Sequence, residues 1–420
     1  MQVTNVRKAI NTQLWFFIAI YLVLLSLSLD RLSWGDDDYY SKMSETRPLF
    51  EWWWERYNIW SGRISIDLLT VTTITWEWFW RLAIPATLLL LAFSMVRLVN
   101  WRVTPDKLLL VLLLLAIAPA KVMSESFYWV TGYYNYLLPT ALALFCFSEI
   151  NCVDEPPLWR IVLLSFSVLI FAYQEQVTLI FVIALTLSLC KKRTKLKWFF
   201  LGFTLVNSAF LFMAPGNANR FIASTFIYFP NYYDFHFLHK ALLGLDKLYQ
   251  VFIMPDNWPL VFLLIAIVFI SSLKENRSIS EKLGALILIL YVAFFFLQKQ
   301  YSADLLEPLT HMRYSGQIGY ETVSKGATYG GYLVLLLVMS SVLVLLLGLF
   351  NSSKGSQNAF VCLFLGVLSV MMLGFSPTVY VSNFRVQMVF EIGVILALLY
   401  LLREINWYNA DKQHPQTIEK

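Results

Sequence analysis

Charge is scarce in this chain of 420 residues: Asp, Glu, Lys and Arg together make up 14%, about half the share usual in soluble domains. With 58% of its residues hydrophobic, the chain has too few polar side chains to clothe a water-soluble globule. Cysteine is equally sparse. Cys146, Cys152, Cys190 and Cys362 fall within or at the inner ends of apolar runs, which excludes an external disulfide framework, and no Cys or His spacing suits zinc. Among the four histidines, His236 and His239 read as loop residues and not as a ligand pair. No internal repeat, low-complexity tract or basic face laced with aromatics is present, so nucleic acid is not an expected partner.

What the chain has instead is a series of long apolar runs. Crossing the hydrocarbon takes roughly 20 apolar residues, fewer where a helix is buried among others. The runs at 14–29, 82–96, 108–120, 136–150, 161–173, 177–189, 198–213, 259–272, 283–297, 331–350, 360–373 and 386–402 predict an all-α polytopic membrane protein with about twelve transmembrane helices. The first run ends in Asp30-Arg31-Leu32 without a small-residue cleavage site, and so reads as an uncleaved span. The polar break Gln174-Glu175-Gln176 leaves open a single broken helix in place of two spans.

Basic residues set the orientation. Arg7, Lys8, Arg97, Arg102, Lys107, the cluster Lys191-Lys192-Arg193, Lys274, Arg277 and Lys282 fall on one side, which the positive-inside rule makes cytoplasmic together with both termini. The net charge of +5 is then mainly a topology signal. The chain reads as one transmembrane domain over 1–420 without a separate soluble domain. Its unusual residues lie in the outer segments: a long first loop at 30–81, further loops at 214–258 and 298–329, and short stretches at 121–135, 174–176 and 374–385.

The first outer loop opens on Asp36-Asp37-Asp38-Tyr39, bracketed by Trp34 and by Trp52-Trp53-Trp54. Three adjacent carboxylates repel one another and resist removal from water, so they are either solvated after the Gly35 turn or employed. Beside a span end and followed by aromatics, one of them suits a general base and another could orient an acceptor hydroxyl or hold a divalent cation. The tryptophans from Trp52 to Trp80 predict an interfacial helix that they anchor; otherwise some stack on a sugar ring or line a path for a lipid tail.

Further along, Gly62-Arg63 offers close backbone approach and a planar fork for phosphate, though Arg63 could equally pair with a nearby acid. Glu125, Trp129 and Asn135, among several tyrosines, combine acid, amide and flat ring in the manner of a carbohydrate platform; an aromatic belt would explain the rings but not Glu125. Glu175 interrupts more than thirty apolar residues and is either a buried polar site or a solvated hairpin tip. Asn217, Asn219 and Arg220 follow Pro215-Gly216, a turn with amide donors and a cation suited to a phosphate. Arg313 and Arg385 are two more outer cations, which either meet a lipid-linked phosphate in a site or only snorkel to headgroups.

Taken together, Gly35-Asp36-Asp37-Asp38-Tyr39, Gly62-Arg63, the stretch 125–136, Tyr173-Gln174-Glu175, Pro215 through Arg220, and Ser376-Pro377 with Arg385 resemble the GT-C glycosyltransferases. Within that fold they are similar to bacterial Gtr-type serotype-converting O-antigen glucosyltransferases. The resemblance implies a GT-C-like bundle in the bacterial plasma membrane, acting on its outer face. A hexose, commonly glucose, would pass from a polyprenyl-phosphate sugar to a lipid-linked glycan or other surface polysaccharide. By position, an acid of Asp36, Asp37 and Asp38 would be the base. Arg220, Arg385, Arg63 and Arg313 would hold the donor phosphate; Glu125, Trp129, Tyr39, Asn135, Glu175, Asn217 and Asn219 would contact sugar or acceptor. Membrane lipids are the remaining expected partner, and a divalent cation is left open. Two other readings are an O-antigen polymerase or glycan ligase, and a non-enzymatic flippase of polyprenyl-linked sugar, against which the absence of a repeat speaks.

Overall fold

An apolar run in hydrocarbon has to satisfy its own backbone, which a helix does, and helix is what the described runs form, even where a proline such as Pro85 or a glycine such as Gly366 falls inside them. The computed structural model describes residues 2–153, 155–254, 256–300, 329–350 and 353–413, within which every regular element is helical. Arg313 lies outside the described residues. Five helical stretches are long and apolar enough to cross a membrane: Ala9–Ser28, Glu77–Leu98, Ile279–Leu297, Tyr332–Leu349 and Lys354–Phe375. Two bent pairs raise the number to seven if each is one span, which is the composition of a multi-pass membrane protein. Among the described residues the expected twelve spans are not confirmed, because apolar helices such as Leu158–Phe171 and Trp258–Ser272 are shorter than a full span.

The chain divides into two compact units. The first holds Met1–Ala116, Ala120–Pro230 and Ser382–Val389. It begins with α1 (Gln2–Ser28) and continues through three short helices, α2 (Gly35–Thr46), α3 (Leu49–Ile59) and α4 (Ile64–Thr73), where the sequence predicted a loop with an interfacial helix. Helices α5 (Glu77–Leu98) and α6 (Pro105–Ala116) follow. After the short α7 (Ala120–Met123) come two π-helical turns, Ser124–Tyr128 and Tyr133–Leu137, on either side of the single turn α8 (Val130–Gly132). Next are α9 (Leu138–Cys152), α10 (Leu158–Phe171), α11 (Glu175–Lys191), α12 (Lys195–Phe212) and α13 (Pro215–Tyr228).

Helix α5 is the axis of this unit. It packs along α9, α6 and α1, and Trp80, Ile84, Leu88, Leu91 and Met95 are fully buried on it. The break between α10 and α11 is fixed by Gln174, whose side chain accepts the Val177 N–H at 2.6 Å as an N-cap. Helices α12 and α13 meet at a bend of 52° ahead of Pro215, which stands at the first helical position, where its missing N–H costs nothing.

The second unit holds Ile117–Pro119, Asn231–Val381 and Phe390–Lys420. Its helices are α14 (Phe237–Phe252), α15 (Trp258–Ser272), α16 (Ile279–Gln300), α17 (Gly330–Leu349), α18 (Lys354–Met371) and, from Phe390 onward, α19 (Met388–Gln413). Helix α16 packs on α17, and α14 packs on α18. The buried Asp246 accepts hydrogen bonds from Tyr332 at 2.6 Å and Tyr380 at 2.9 Å. Glu391, an acid within an apolar run, accepts one from the Asn257 amide at 2.8 Å.

In the first unit, α13 lies against α3 so closely that glycine is the only residue that fits at the contact. A Cβ on Gly216 would sit 2.5 Å from the Trp60 nitrogen and 2.7 Å from the Tyr57 carbonyl oxygen, both backbone atoms that cannot step aside. Gly216→Ala is therefore expected to destabilise the fold by about 2 kcal/mol or more, read as a lowered thermal midpoint of the detergent-purified protein. An unchanged midpoint would mean that α3 and α13 are not in contact.

Candidate functional site

The three adjacent acids occupy the first turn of α2, where the positive end of the helix dipole favours negative charge. Gly35 makes the entry possible, with φ +70° following an extended Trp34. Successive residues on a helix point about 100° apart, so the carboxylates diverge and their mutual repulsion is relieved. They have three different environments. Asp37 is fully buried: it accepts the Leu32 N–H at 2.9 Å, the Thr131 N–H at 2.9 Å and the Thr131 hydroxyl. Burial pushes its carboxyl above the ordinary aspartate value, and the hydrogen bonds from Thr131 and Leu32 pull it only part of the way back. Asp38 pairs with Lys42 one turn along at 2.6 Å. Asp36 is exposed and makes no ion pair among the described residues.

From Asp37 a chain of polar contacts joins the other motifs within this unit. Thr131, bonded to Asp37, offers its carbonyl to the Asn135 amide at 3.0 Å. Asn135 in turn accepts from Arg63 at 2.8 Å. Arg63 also grips Glu175, through Nε at 2.9 Å and Nη2 at 2.7 Å, and Arg220 holds the other oxygen of Glu175 at 2.8 Å. Asn217 accepts the Gly62 N–H at 3.1 Å and donates to the Leu211 carbonyl at 2.6 Å, while Asn219 donates to the Asn58 carbonyl at 3.1 Å. The amides of Asn217 and Asn219 thus tie α13 to the end of α12, to α3 and to the segment leading into α4.

Glu175 is the hub of that chain. It is the first residue of α11, ahead of the apolar stretch, and burial alone would raise its carboxyl. The guanidinium of Arg63, followed by that of Arg220, outweighs burial and holds it down to about 2. Two arginines expected to meet a phosphate are therefore compensated within the protein.

A second group surrounds an open cleft of about 930 Å³. It is lined by Tyr21, Leu24, Leu25 and Leu29 at the end of α1 and by Asp30, Asp36, Ser124, Glu125, Tyr128, Trp129 and Arg385. Glu125 sits in the first π-helical turn and accepts the backbone N–H groups of Phe384 at 2.9 Å and Arg385 at 3.1 Å, which fixes the segment that carries the arginine. The Arg385 guanidinium stands 5.2 Å over the Trp129 ring and forms no ion pair among the described residues. Its Nε and the Trp129 indole nitrogen are buried donors without a hydrogen-bond partner. The cleft thus combines apolar side chains, an exposed carboxylate and a guanidinium without a counter-ion among the described residues, an arrangement able to take an anion with an apolar tail. No group of three His, Cys, Asp or Glu side chains gathers as a metal centre among the described residues.

Tyr39 lies in a neighbouring cleft, and its hydroxyl accepts from Trp52 Nε1 at 3.2 Å and from Arg56 at 3.3 Å. Sequence reasoning missed Arg56 and its partner Asp67. Asp67, 2% exposed, accepts from Arg56 Nε at 2.9 Å and from the Tyr40 hydroxyl at 2.5 Å. The guanidinium is boxed by the rings of Tyr39, Tyr40 and Trp52 at 5.0 to 5.5 Å. The signal was available, since Asp67 is the one acid of the otherwise apolar helix α4.

Comparison with protein-family models, with curated proteins and with solved structures finds no match to this chain in any of the three.

The unfolded chain titrates Glu175 near 4.5 and the folded protein near 2, so the unfolded state binds more protons between those values. Stability from this group is complete above about pH 4.5 and is lost as pH falls toward 2. Between pH 5 and pH 3 the loss is on the order of 2 kcal/mol. Glu175→Gln should lower stability overall and remove this acid limb, measured as thermal midpoints across that range. An equally steep acid limb in the variant would mean that the two arginines do not grip this carboxylate.

Proposed function

We propose that this chain is an integral-membrane glycosyltransferase that moves a hexose from a polyprenyl-phosphate sugar to a glycan acceptor. One observation carries the reading: the cleft whose lining brings the apolar end of α1 together with Asp36, Glu125, Trp129 and Arg385, which has no ion pair among the described residues. A polyprenyl-phosphate sugar has matching parts, namely a tail for the apolar side chains, a phosphate for the guanidinium, and a sugar for the acids and the ring. Asp37 is committed to Thr131 and Leu32, and Asp38 to Lys42, which leaves Asp36 as the base of choice.

In this mechanism Asp36 takes the proton of the acceptor hydroxyl as its oxygen attacks the anomeric carbon. The bond from that carbon to the donor phosphate oxygen breaks, and the electron pair leaves with the phosphate. A sugar hydroxyl ionises far above neutrality and needs a positioned base, whereas a phosphate needs only its developing charge met, here by Arg385. Base and cation on opposite sides of the anomeric carbon give in-line displacement and inversion. Glu125 holds the backbone that presents Arg385, and Trp129 supplies a face for the sugar. The architecture proposed with this reading is a GT-C-like bundle of about twelve spans in a bacterial plasma membrane, with the cleft on the outer face and both termini cytoplasmic. The shorter apolar helices would complete the spans where the surrounding bilayer is locally thin.

The test is incubation of the purified, membrane-inserted protein with a panel of synthetic polyprenyl-phosphate hexoses and glycan acceptors, scoring freed polyprenyl phosphate. Asp36→Asn should lower transfer at least about a hundredfold. Arg385→Ala should raise the donor KM before it affects the thermal midpoint. Release of lipid phosphate from no donor would overturn the assignment, and normal turnover by Asp36→Asn would move the base elsewhere.

A further inference from the structure

The helices α2, α3 and α4 of the first unit line a cleft of about 450 Å³ that shares no residue with the cleft of Arg385. Its apolar lining comes from Met43, Leu49, Trp52, Val71 and Trp76; Ser44, Thr72 and Thr75 add hydroxyls, and Arg47 is its one charged residue. Trp76 is the N-cap of α5, one of the helices long and apolar enough to cross a membrane. Trp76 and Trp78 are exposed and stacked on each other, and Leu82, one turn further along, is exposed as well. Exposed rings at the head of a span favour the headgroup layer, so the Trp76 side of the cleft stands where the hydrocarbon begins. An apolar cleft at that depth is filled more favourably from the bilayer than by water.

The charges at the rim narrow the headgroup. Arg47 faces Glu55 at 2.6 Å, and Glu51, one turn earlier on α3, attracts the same guanidinium. One cation therefore stands beside two carboxylates. A headgroup with negative charge alone would meet that surplus of acid, and one with positive charge alone would meet Arg47. A phosphate joined to an ammonium by a short linker satisfies both, the phosphate on Arg47 and the ammonium on the glutamates. A primary ammonium donates hydrogen bonds to a carboxylate, which a quaternary one cannot do. The exposed Arg47–Glu55 pair contributes little to the fold, so its two members can exchange their mutual contact for the headgroup at small cost. The hydroxyls of Ser44 and Thr75 suit the carbonyl oxygens of the ester linkages behind it.

We propose that the cleft lined by α2, α3 and α4 is a site for one bilayer phospholipid with a phosphoethanolamine headgroup. Its phosphate rests on Arg47 and its ammonium on Glu55 and Glu51, while one acyl chain lies along Met43, Leu49 and Trp76. The lipid fills the space among the three helices and holds them to one another at the membrane surface. Neither the residues nor the ligand belong to the glycosyl-transfer reading, so the site stands or falls without it.

The test uses the full-length protein, purified in mild detergent and stripped of lipid. It is titrated with phosphatidylethanolamine, phosphatidylcholine and phosphatidylglycerol of identical acyl chains; bound lipid is counted by native mass spectrometry and the thermal midpoint is recorded alongside. The first phosphatidylethanolamine should bind about tenfold more tightly than either of the others, and the midpoint should rise as it binds. Glu55→Gln should remove the preference over phosphatidylcholine, and Arg47→Ala should weaken the first binding event for all three lipids. Thr75→Trp, which fills the cleft, should abolish the tight event together with the rise in midpoint. If that variant fails to fold, Ser44→Trp blocks the same cleft from an exposed position and should do likewise. Equal affinity for the three lipids, a preference for phosphatidylglycerol or phosphatidylcholine, or a tight phosphatidylethanolamine event that survives the blocked cleft would overturn the site.

Discussion

A carboxylate taken out of water must find donors, and the first unit is arranged around that requirement. Asp37, Asp67 and Glu175 are all withdrawn from solvent at least in part, and each is met by a different device. Asp37 takes two backbone N–H groups and a hydroxyl, Asp67 takes a guanidinium and a phenol, and Glu175 takes two guanidinium groups. Leaving any of them unmet would cost several kcal/mol, comparable with the net stability of a domain. Segments far apart in sequence, from α2 to α13, are consequently fixed relative to one another by a few charge-assisted hydrogen bonds. Nonpolar packing could not impose that registry, because an apolar face accepts many neighbours with nearly equal energy.

The helical class and the membrane-type composition were legible in the sequence, because periodicity is irrelevant where whole runs are apolar. The residues that would matter were legible as well: Arg63, Asn135, Glu175, Asn217 and Arg220 stood out as polar groups beside apolar runs, and they do meet. Their roles were not legible. Whether an arginine holds a ligand or another side chain depends on which carboxylate the fold delivers to it, and that carboxylate, Glu175, lies 112 residues from Arg63. The same applies to the acid triplet. Read as a string, Asp36, Asp37 and Asp38 look equivalent; placed on a helix they point in three directions, to three different environments. The number of spans was harder still, because helices of 14 and 15 residues such as α10 and α15 look like spans in composition but fall short in length.

The Trp-rich loop shows how a strong compositional signal conceals a structural one. Trp52 is buried and Trp54, Trp60, Trp76 and Trp78 are exposed, so one residue type serves both the interior and the surface of the segment from α3 to the start of α5. Anchoring in a headgroup layer accounts for exposed rings near the start of α5, but it does not account for Arg56, whose charge is enclosed by three rings and neutralised by Asp67. That enclosure fixes Arg56 in the lining of the cleft it shares with Asp36 and Tyr39.

The contrast between satisfied and unsatisfied charge is what separates scaffold from site in this protein. Arg63 and Arg220 have a carboxylate within 3 Å, and adding an external anion there would mean competing with Glu175 for both of them. Arg385 has an aromatic face and, among the described residues, no carboxylate; its Nε and the Trp129 indole N–H are buried without acceptors. Each such donor costs about 1 to 3 kcal/mol while it stays unmet. Within the first unit the carboxylates of Asp37, Asp67 and Glu175 are each met by donors, whereas the Arg385 guanidinium, in a cleft with an exposed Asp36, has no counter-ion among the described residues; on the proposed reading that is the interaction a ligand completes. Because Glu125 fixes the Arg385 backbone, the guanidinium is held for that ligand and not drawn away to another carboxylate. The donors of the cleft are thereby preorganised, the condition under which a hydrogen bond acts on charge that develops during a reaction and is not used up in binding.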